Sequence, residues 1–288
     1  MNDQIKTVLL LGLLSLILIG LGGALGPNYL YTFTIMAIVM NFVSYFYSDK
    51  IVLAVSGARE VSVEEAPRLH SIVEELAARA NLPKPRVYII PQAQPNAFAT
   101  GRNPQHSAVA VTQGITQLLN ERELRGVLAH ELGHVINRDI LITSIAATIA
   151  SAVTFIGHAL QWGAIFGAGG RDDDERGSPL GTLALAIVAP LAATLVQLAI
   201  SRSREFEADS TGARLCGDPE SLARALEKLE RGAEAIPADI SPATASMYIV
   251  NPFAGVKAGF LNWFSTHPPM EERIARLRGM MLDGAKFA

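Results

Sequence analysis

Charged side chains fall very unevenly along this chain. From Thr7 to Ser48 there are 42 residues without one. A helix of about 20 residues crosses a bilayer, so this run predicts two spanning helices joined at Gly26-Pro27-Asn28, where turn formers cluster. Four of the six tyrosines, Tyr29, Tyr31, Tyr45 and Tyr47, stand at the two ends of the second helix, as interfacial rings would. The run is too long for a cleavable leader, and its second apolar stretch follows at once. Two further uncharged runs come later. Ile140 to Gly170 spans 31 residues with His158 as its only ionisable group, and Gly177 to Ser201 spans 25. With the acidic loop Arg171 to Arg176 between them they predict a second pair of spans, a buried core hairpin being the other reading.

The remainder is patterned like a soluble domain. Ser62 and Glu65 form a capping box ahead of an amphipathic stretch to about Ala80, which carries Leu69, Ile72, Val73 and Leu76. Leu82-Pro83-Lys84-Pro85 stops it. Arg86 to Ile90 and Ser107 to Thr112 read as strands. Pro95 to Gly101 reads as a further strand at a sheet edge, where an open backbone could hold an extended peptide; a plain structural hairpin fits the pattern equally. Asn120 and Glu123 make a second box before Leu124, Val127 and Leu128, and this helix should end at Asn137-Arg138-Asp139. Downstream, a helix through Ser201 to Leu215 is stopped by Gly217, while Asp218 caps the next and Pro219 takes its first position. Arg231 to Phe264 reads as a long loop, and Ser265 to Ile274 opens a short amphipathic helix.

Composition narrows the class. Half the residues are hydrophobic and 18% are charged, against about a quarter in soluble domains, which points to a membrane. A net charge of -3 provides no basic field for nucleic acid. The single cysteine, Cys216, excludes an internal disulfide framework and reads as a small buried hydrophobe before Gly217. Of the 24 Lys and Arg residues, 10 lie between residues 49 and 139 and 11 between 201 and 288, with Lys6 ahead of the first span. Only Arg171 and Arg176 would lie on the far side, so the positive-inside rule puts both termini and the polar regions in the cytoplasm.

The helix after Asn120 carries His130-Glu131-Leu132-Gly133-His134. Residues four apart on a helix share a face, so His130 and His134 can offer two imidazole nitrogens to one zinc ion. Glu131 sits one step round, beside the position where water would bind, and a carboxylate there can take a proton. A catalytic zinc needs a third protein ligand, for which Glu205, Glu207 and Asp209 are the compact acidic candidates. Glu205 and Asp209 share a helical face, so one could bind metal while the other orients a ligand histidine; an exposed face paired with Arg202 and Arg204 is the alternative.

Four pieces of the chain resemble the HtpX family of membrane-embedded zinc metalloproteases, related to the CaaX prenyl-protein endopeptidases. They are P-N-A-F-A-T-G at Pro95 to Gly101, H-E-L-G-H-V-I-N-R-D at His130 to Asp139, S-R-S-R-E-F-E-A-D at Ser201 to Asp209, and S-T-H-P-P-M-E-E-R-I at Ser265 to Ile274. The resemblance implies an α+β fold: integral membrane helices with a mainly helical, zincin-like catalytic domain carrying a small β-sheet. It divides the chain into two transmembrane helices (7–48), a first protease segment with the zinc-binding helix (49–139), a transmembrane hairpin (140–201) and a second protease segment (202–288). It implies one Zn2+ per subunit on His130, His134 and Glu205, Glu131 as general base and Asp209 behind a ligand histidine. It further implies His267 as a donor to the oxyanion and Asn96, Ala97, Phe98 and Ala99 as the strand over which substrate lies. The expected activity is cleavage of misfolded or damaged membrane proteins from the cytoplasmic side of the bacterial inner membrane, in the lipid bilayer and without a nucleic-acid partner. Two other functions compete. A dedicated CaaX-type processing peptidase needs a large intramembrane chamber, which four spans are too few to wall. A non-catalytic zinc-stabilised scaffold has no use for a base such as Glu131 beside an open coordination position.

Overall fold

Two long helices come first, as the uncharged run requires. The computed structural model describes residues 3–149, 202–235, 247–250 and 268–282. α1 (Asp3–Leu25) and α2 (Pro27–Val55) form a hairpin about Gly26, whose φ of 123° is a conformation glycine adopts without strain. Asn41 Nδ2 donates to Ser15 Oγ across the pair at 2.7 Å. By length and composition α2 is apolar enough to cross a bilayer. Its tyrosines Tyr29, Tyr31, Tyr45 and Tyr47 are all exposed.

Four strands form one mixed sheet in the order β1-β2-β4-β3: β1 (Arg59–Glu60), β2 (Arg86–Ile90), β3 (Ala97–Gly101) and β4 (Ser107–Thr112). β2 and β4 run parallel, and β1 and β3 flank them antiparallel. Side chains alternate along a strand, and here both faces are covered. Val87, Ala97, Ala99, Val109 and Val111 share a core with Leu76 of α3 (Pro67–Arg79) and with Val127, Leu128 and Leu132 of α5 (Glu121–Asn137). Tyr88, Ile90, Phe98, Ala108 and Ala110 pack instead on Val52 and Leu53 of α2 and on Ala147 of α6 (Ile140–Ile149). α6 also sets Ile142, Ile145 and Ile149 against Leu10, Leu14 and Leu18 of α1. The sheet is therefore seated on the lower end of an apolar helix cluster. α4 (Gln113–Leu118), capped by Thr112, links β4 to α5.

Most local signals hold. The box at Asn120 and Glu123 caps α5 with both reciprocal hydrogen bonds, and Arg138 ends it in the left-handed conformation at φ 61°. The reciprocal bonds of Ser62 and Glu65 also form, but in a turn; α3 starts at Pro67, whose fixed φ suits the first helical position. After α7 (Arg202–Cys216), Gly217 turns the chain at φ 70°, and the Asp218 side chain accepts from Ser221 N to cap α8 (Pro219–Ala235). α8 runs through Arg231 into the region expected to be loop, because Leu222, Leu226, Leu229 and Ala233 keep helical spacing and are all buried. α9 (Met270–Leu282) closes the domain. Cys216 is buried, as its setting suggested. Of the hairpin expected over 140–201, residues 150–201 with the acidic loop lie outside the described residues, as does His267 in the motif before α9.

α5 and α7 cross at backbone contact. A Cβ added to Gly133 would lie 2.9 Å from Ala208 O, and one added to Gly212 would lie 2.6 Å from His130 N. Gly212→Ala should therefore destabilise the chain. Alanine normally favours a helix over glycine by about 1 kcal/mol, but overpacking costs about 1–3 kcal/mol. Thermal unfolding of the purified protein would read this, and a variant as stable as wild type would show that the two helices have room to spare.

Candidate metal centre

The crossing of α5 and α7 decides what meets what. His130 and His134 lie one turn apart on α5, their ring centroids 4.8 Å from each other. On α7, Glu205, Ala208, Asp209, Gly212, Ala213 and Cys216 follow helical spacing and are all buried, so one face lies on α5. Glu205 then reaches both imidazoles: Oε2 is 3.7 Å from His130 Nε2, and Oε1 is 3.8 Å from His134 Nε2. A tetrahedron of bonds about 2.1 Å long has edges of about 3.4 Å, so the three donors suit a small cation with little adjustment.

Each histidine is backed by a carboxylate on its other nitrogen. Asp209 Oδ1 is 2.9 Å from His130 Nδ1, an ion-pair distance on a bent approach that makes no proper hydrogen bond. Asp139 faces His134 Nδ1 at 3.0 and 3.1 Å. Such partners fix the tautomer that leaves Nε2 open to a metal. Asp209 is in turn held bidentately by Arg273 of α9, through Nε to Oδ2 at 2.8 Å and Nη2 to Oδ1 at 2.7 Å. Arg273 is 0% exposed and also donates to Ile249 O at 3.1 Å.

Glu131 points to the sheet. Its Oε2 accepts from Ala99 N of β3 at 2.8 Å, so the carboxylate is tethered to the edge strand over α5. β3 does stand at the edge of the sheet, and all five of its residues are buried. Ala97 and Ala99 face α5, whereas the Phe98 ring lies on the opposite face with α2. The Asn96 side chain is engaged internally, accepting from Ile249 N at 3.1 Å and donating to Met247 O at 3.3 Å. Glu207, the remaining acidic candidate on α7, is exposed and away from the cluster.

Glu131, Asp139, Glu205 and Asp209 bring four buried carboxylates together, and the Arg273 guanidinium lies against two of them, Asp209 and Glu205. Buried negative charge in such excess demands cations. Burial would make His134 less basic, yet Asp139 behind it, with Glu205 and Glu131 nearby, lifts its imidazole to about 10. Burial pushes the Glu131 carboxyl up, opposed by both histidines and reinforced by Glu205. For Asp209 burial acts upward, but Arg273 and then His130 prevail and bring it down to about 2. The donor set and its charge both fit a divalent cation on His130, His134 and Glu205.

Asp139 and Arg273 had no assigned role in the sequence reading. The signal for Arg273 was present: Met270, Arg273, Ile274 and Leu277 follow i, i+3, i+4, i+7, which sets a charge on the buried stripe of α9. For Asp139 the signal was weaker, a carboxylate just past a helix end whose left-handed cap folds it back towards His134.

A family model described as peptidase family M48 matches residues 63–281. Protease HtpX homolog of Desulfatibacillum aliphaticivorans is 55% identical over 281 residues, covering 97% of this chain and 90% of that protein. Protease HtpX homolog of Syntrophotalea carbinolica is 56% identical over 281 residues, covering 96% and 99%. The Aquifex aeolicus relative of the same name is 52% identical over 266 residues, covering 91% and 87%. Among solved structures, the crystal structure of S. mikatae Ste24p aligns with a TM-score of 0.49 at 17% identity, over 96% of this chain and 65% of that one.

Asp139→Asn should weaken metal binding about ten- to a hundredfold, as loss of a partner behind a ligand histidine does. Competition with a chromophoric chelator would measure it, and wild-type affinity in the variant would remove Asp139 from the centre. Because His134 holds its proton to about pH 10 in the metal-free chain, a cation must displace that proton to bind. Metal affinity should thus rise with pH between about 7 and 9 with the release of about one proton. Calorimetry in buffers of different ionisation enthalpy would count it; binding without proton release would contradict a charged His134.

Proposed function

The chain belongs to peptidase family M48, and from that premise we propose that it is a zinc-dependent endopeptidase of a cell membrane that cleaves misfolded or damaged membrane proteins. One observation carries the reading: Glu131 lies between the cation-binding cluster and the amide of Ala99 on β3. A base next to a metal is a hydrolytic arrangement, and a base tied to an edge strand can meet a peptide laid along that strand. Zinc on His130, His134 and Glu205 would supply a Lewis acid and make water a stronger nucleophile.

The chain's own residues have separable tasks. Glu131 takes the proton of the attacking water and passes it to the departing amine, and burial, by raising its carboxyl, helps it hold that proton between the two steps. Asp139 and Asp209 keep His130 and His134 turned with Nε2 inward, and Arg273 keeps Asp209 charged. The backbone of Asn96 to Ala99 is the strand for substrate, with the Asn96 side chain bracing it against residues 247–249. His267 is assigned to the oxyanion by its motif alone.

Membrane proteins suit this site because of what lies beneath the sheet. α2 and the apolar cluster of α1 and α6 begin where the sheet ends, so the peptide strand would run close to a bilayer surface. In this reading residues 7–48 and 140–201 hold the membrane segments, and the protease segments 49–139 and 202–288, with both termini, face the cytoplasm of a bacterial inner membrane.

Glu131→Gln should keep zinc and fold while lowering hydrolysis of unfolded casein and of a membrane-protein panel by at least about a hundredfold, the scale of a general base. Zinc content by atomic absorption and cleavage would be measured on one preparation. Substantial cleavage by the zinc-loaded variant would mean that another group is the base.

A further inference from the structure

Where α2 leaves its apolar stretch, a cavity of about 430 Å3 opens on the side of the domain away from the metal ligands, lined by Phe46, Tyr47, Lys50, Lys84, Arg86 and Arg102 among others. Pockets that hold small ligands begin at about 300 Å3. Its chemistry divides into two halves. One is aromatic: Phe42, Phe46 and Tyr47 are all exposed on α2, and the Phe42 and Phe46 rings are 4.7 Å apart. The other is basic, with four cations and Asp49 as the one lining carboxylate.

The pairing of those charges is uneven. Arg86 takes Asp49 at 3.0 Å and donates to Tyr88 OH at 2.8 Å, and Lys84 takes Glu74 at 2.6 Å. Lys50 and Arg102 meet no carboxylate among the described residues. They lie over rings instead, Lys50 Nζ 5.2 Å from the centre of Tyr47 and the Arg102 guanidinium 5.6 Å from that of Phe46. Two cations held on aromatic faces at a cavity mouth keep their charge available to an anion. Exposed rings at the end of a helix able to cross a bilayer mark the headgroup level, so the anion met there is a lipid phosphate.

We propose that this cavity is a binding site for the headgroup phosphate of an anionic phospholipid, seated between Lys50 and Arg102 with its acyl chains along Phe42 and Phe46. The site rests on α2 being a membrane helix, and it is independent of peptide cleavage. It would fix the depth and tilt of the sheet at the bilayer surface, since the same residues border β2 and the turn into β4.

The test uses the full-length protein in detergent, exchanged with phosphatidylglycerol or phosphatidylcholine and examined for retained lipid by native mass spectrometry. Wild type should retain phosphatidylglycerol in preference to phosphatidylcholine. The double variant Lys50→Gln, Arg102→Gln should retain phosphatidylglycerol about thirtyfold more weakly, the sum of two interfacial cations, with thermal unfolding unchanged. Should the double variant misfold, Lys50→Gln alone, at an exposed position, should lose about fivefold. Glu131→Gln should retain lipid as wild type does, so a failure of the peptidase reading leaves this result intact. Equal retention of both lipids by wild type, or undiminished retention by the folded variant, overturns the site. Displacement of the lipid by inorganic phosphate alone would show a site for soluble phosphate and overturn the lipid assignment. Retention of neither lipid, by a protein soluble without detergent, would overturn the membrane reading of α2 itself.

Discussion

Backbone contact between α5 and α7 is the constraint on which the centre depends. Gly133 against Ala208 and Gly212 against His130 let the two helix axes approach more closely than any side chain would allow. At that separation a glutamate reaches both imidazoles at once, through a different oxygen for each. Helices normally pack 8–10 Å apart, set by the side chains between them. With Cβ atoms in the way, Glu205 would be carried outward and the three donors would no longer converge. The buried stripe of α7 packs on α5 and presents Glu205 to both imidazoles.

That convergence creates an electrostatic problem, and the rest of the site answers it. Four carboxylates are gathered where little water reaches, and a lone buried charge is among the costliest features a fold can carry. Arg273 answers part of it from α9, clasping Asp209 with both arms of its fork and reaching within 3.7 Å of Glu205. A proton on His134 answers more, since Asp139, Glu205 and Glu131 around it raise its imidazole to about 10. A divalent cation bound there would replace that proton. Arg273 also holds Ile249 O, and Ile249 N holds Asn96, so one chain of hydrogen bonds runs from Asp209 through α9 to Asn96 at the start of β3. Buried pairs of this kind are worth little when intact, but losing one partner typically costs about 3–5 kcal/mol. Their value here is positional.

The sheet joins this centre to the apolar helices. Alternation along β2, β3 and β4 gives one face to the core under α5 and the other to α2 and α6, so the two halves of the molecule share a layer and are not linked by a tether. Only a strand pair buried on both sides can do this, and the strands are accordingly rich in Val, Ala and Ile, without polar alternation.

Local interactions made much of this legible in advance. Helical spacing placed His130, Glu131 and His134 on one turn, and Glu205 and Asp209 on another, because period and capping act within a few residues. The same is true of Gly217, Asp218 and Pro219, and of the hairpin at Gly26. Longer-range facts were not available to that reasoning. Spacing alone left Glu205, Glu207 and Asp209 as equal candidates, and it could not see that Gly212 gives α7 its close seat on α5. Nor could it pair Asp139 with His134 through a left-handed cap, or bring Arg273 to Asp209 across 64 residues. Ligand geometry and charge balance depend on distances between elements, and those distances are set by packing volumes that no single segment encodes.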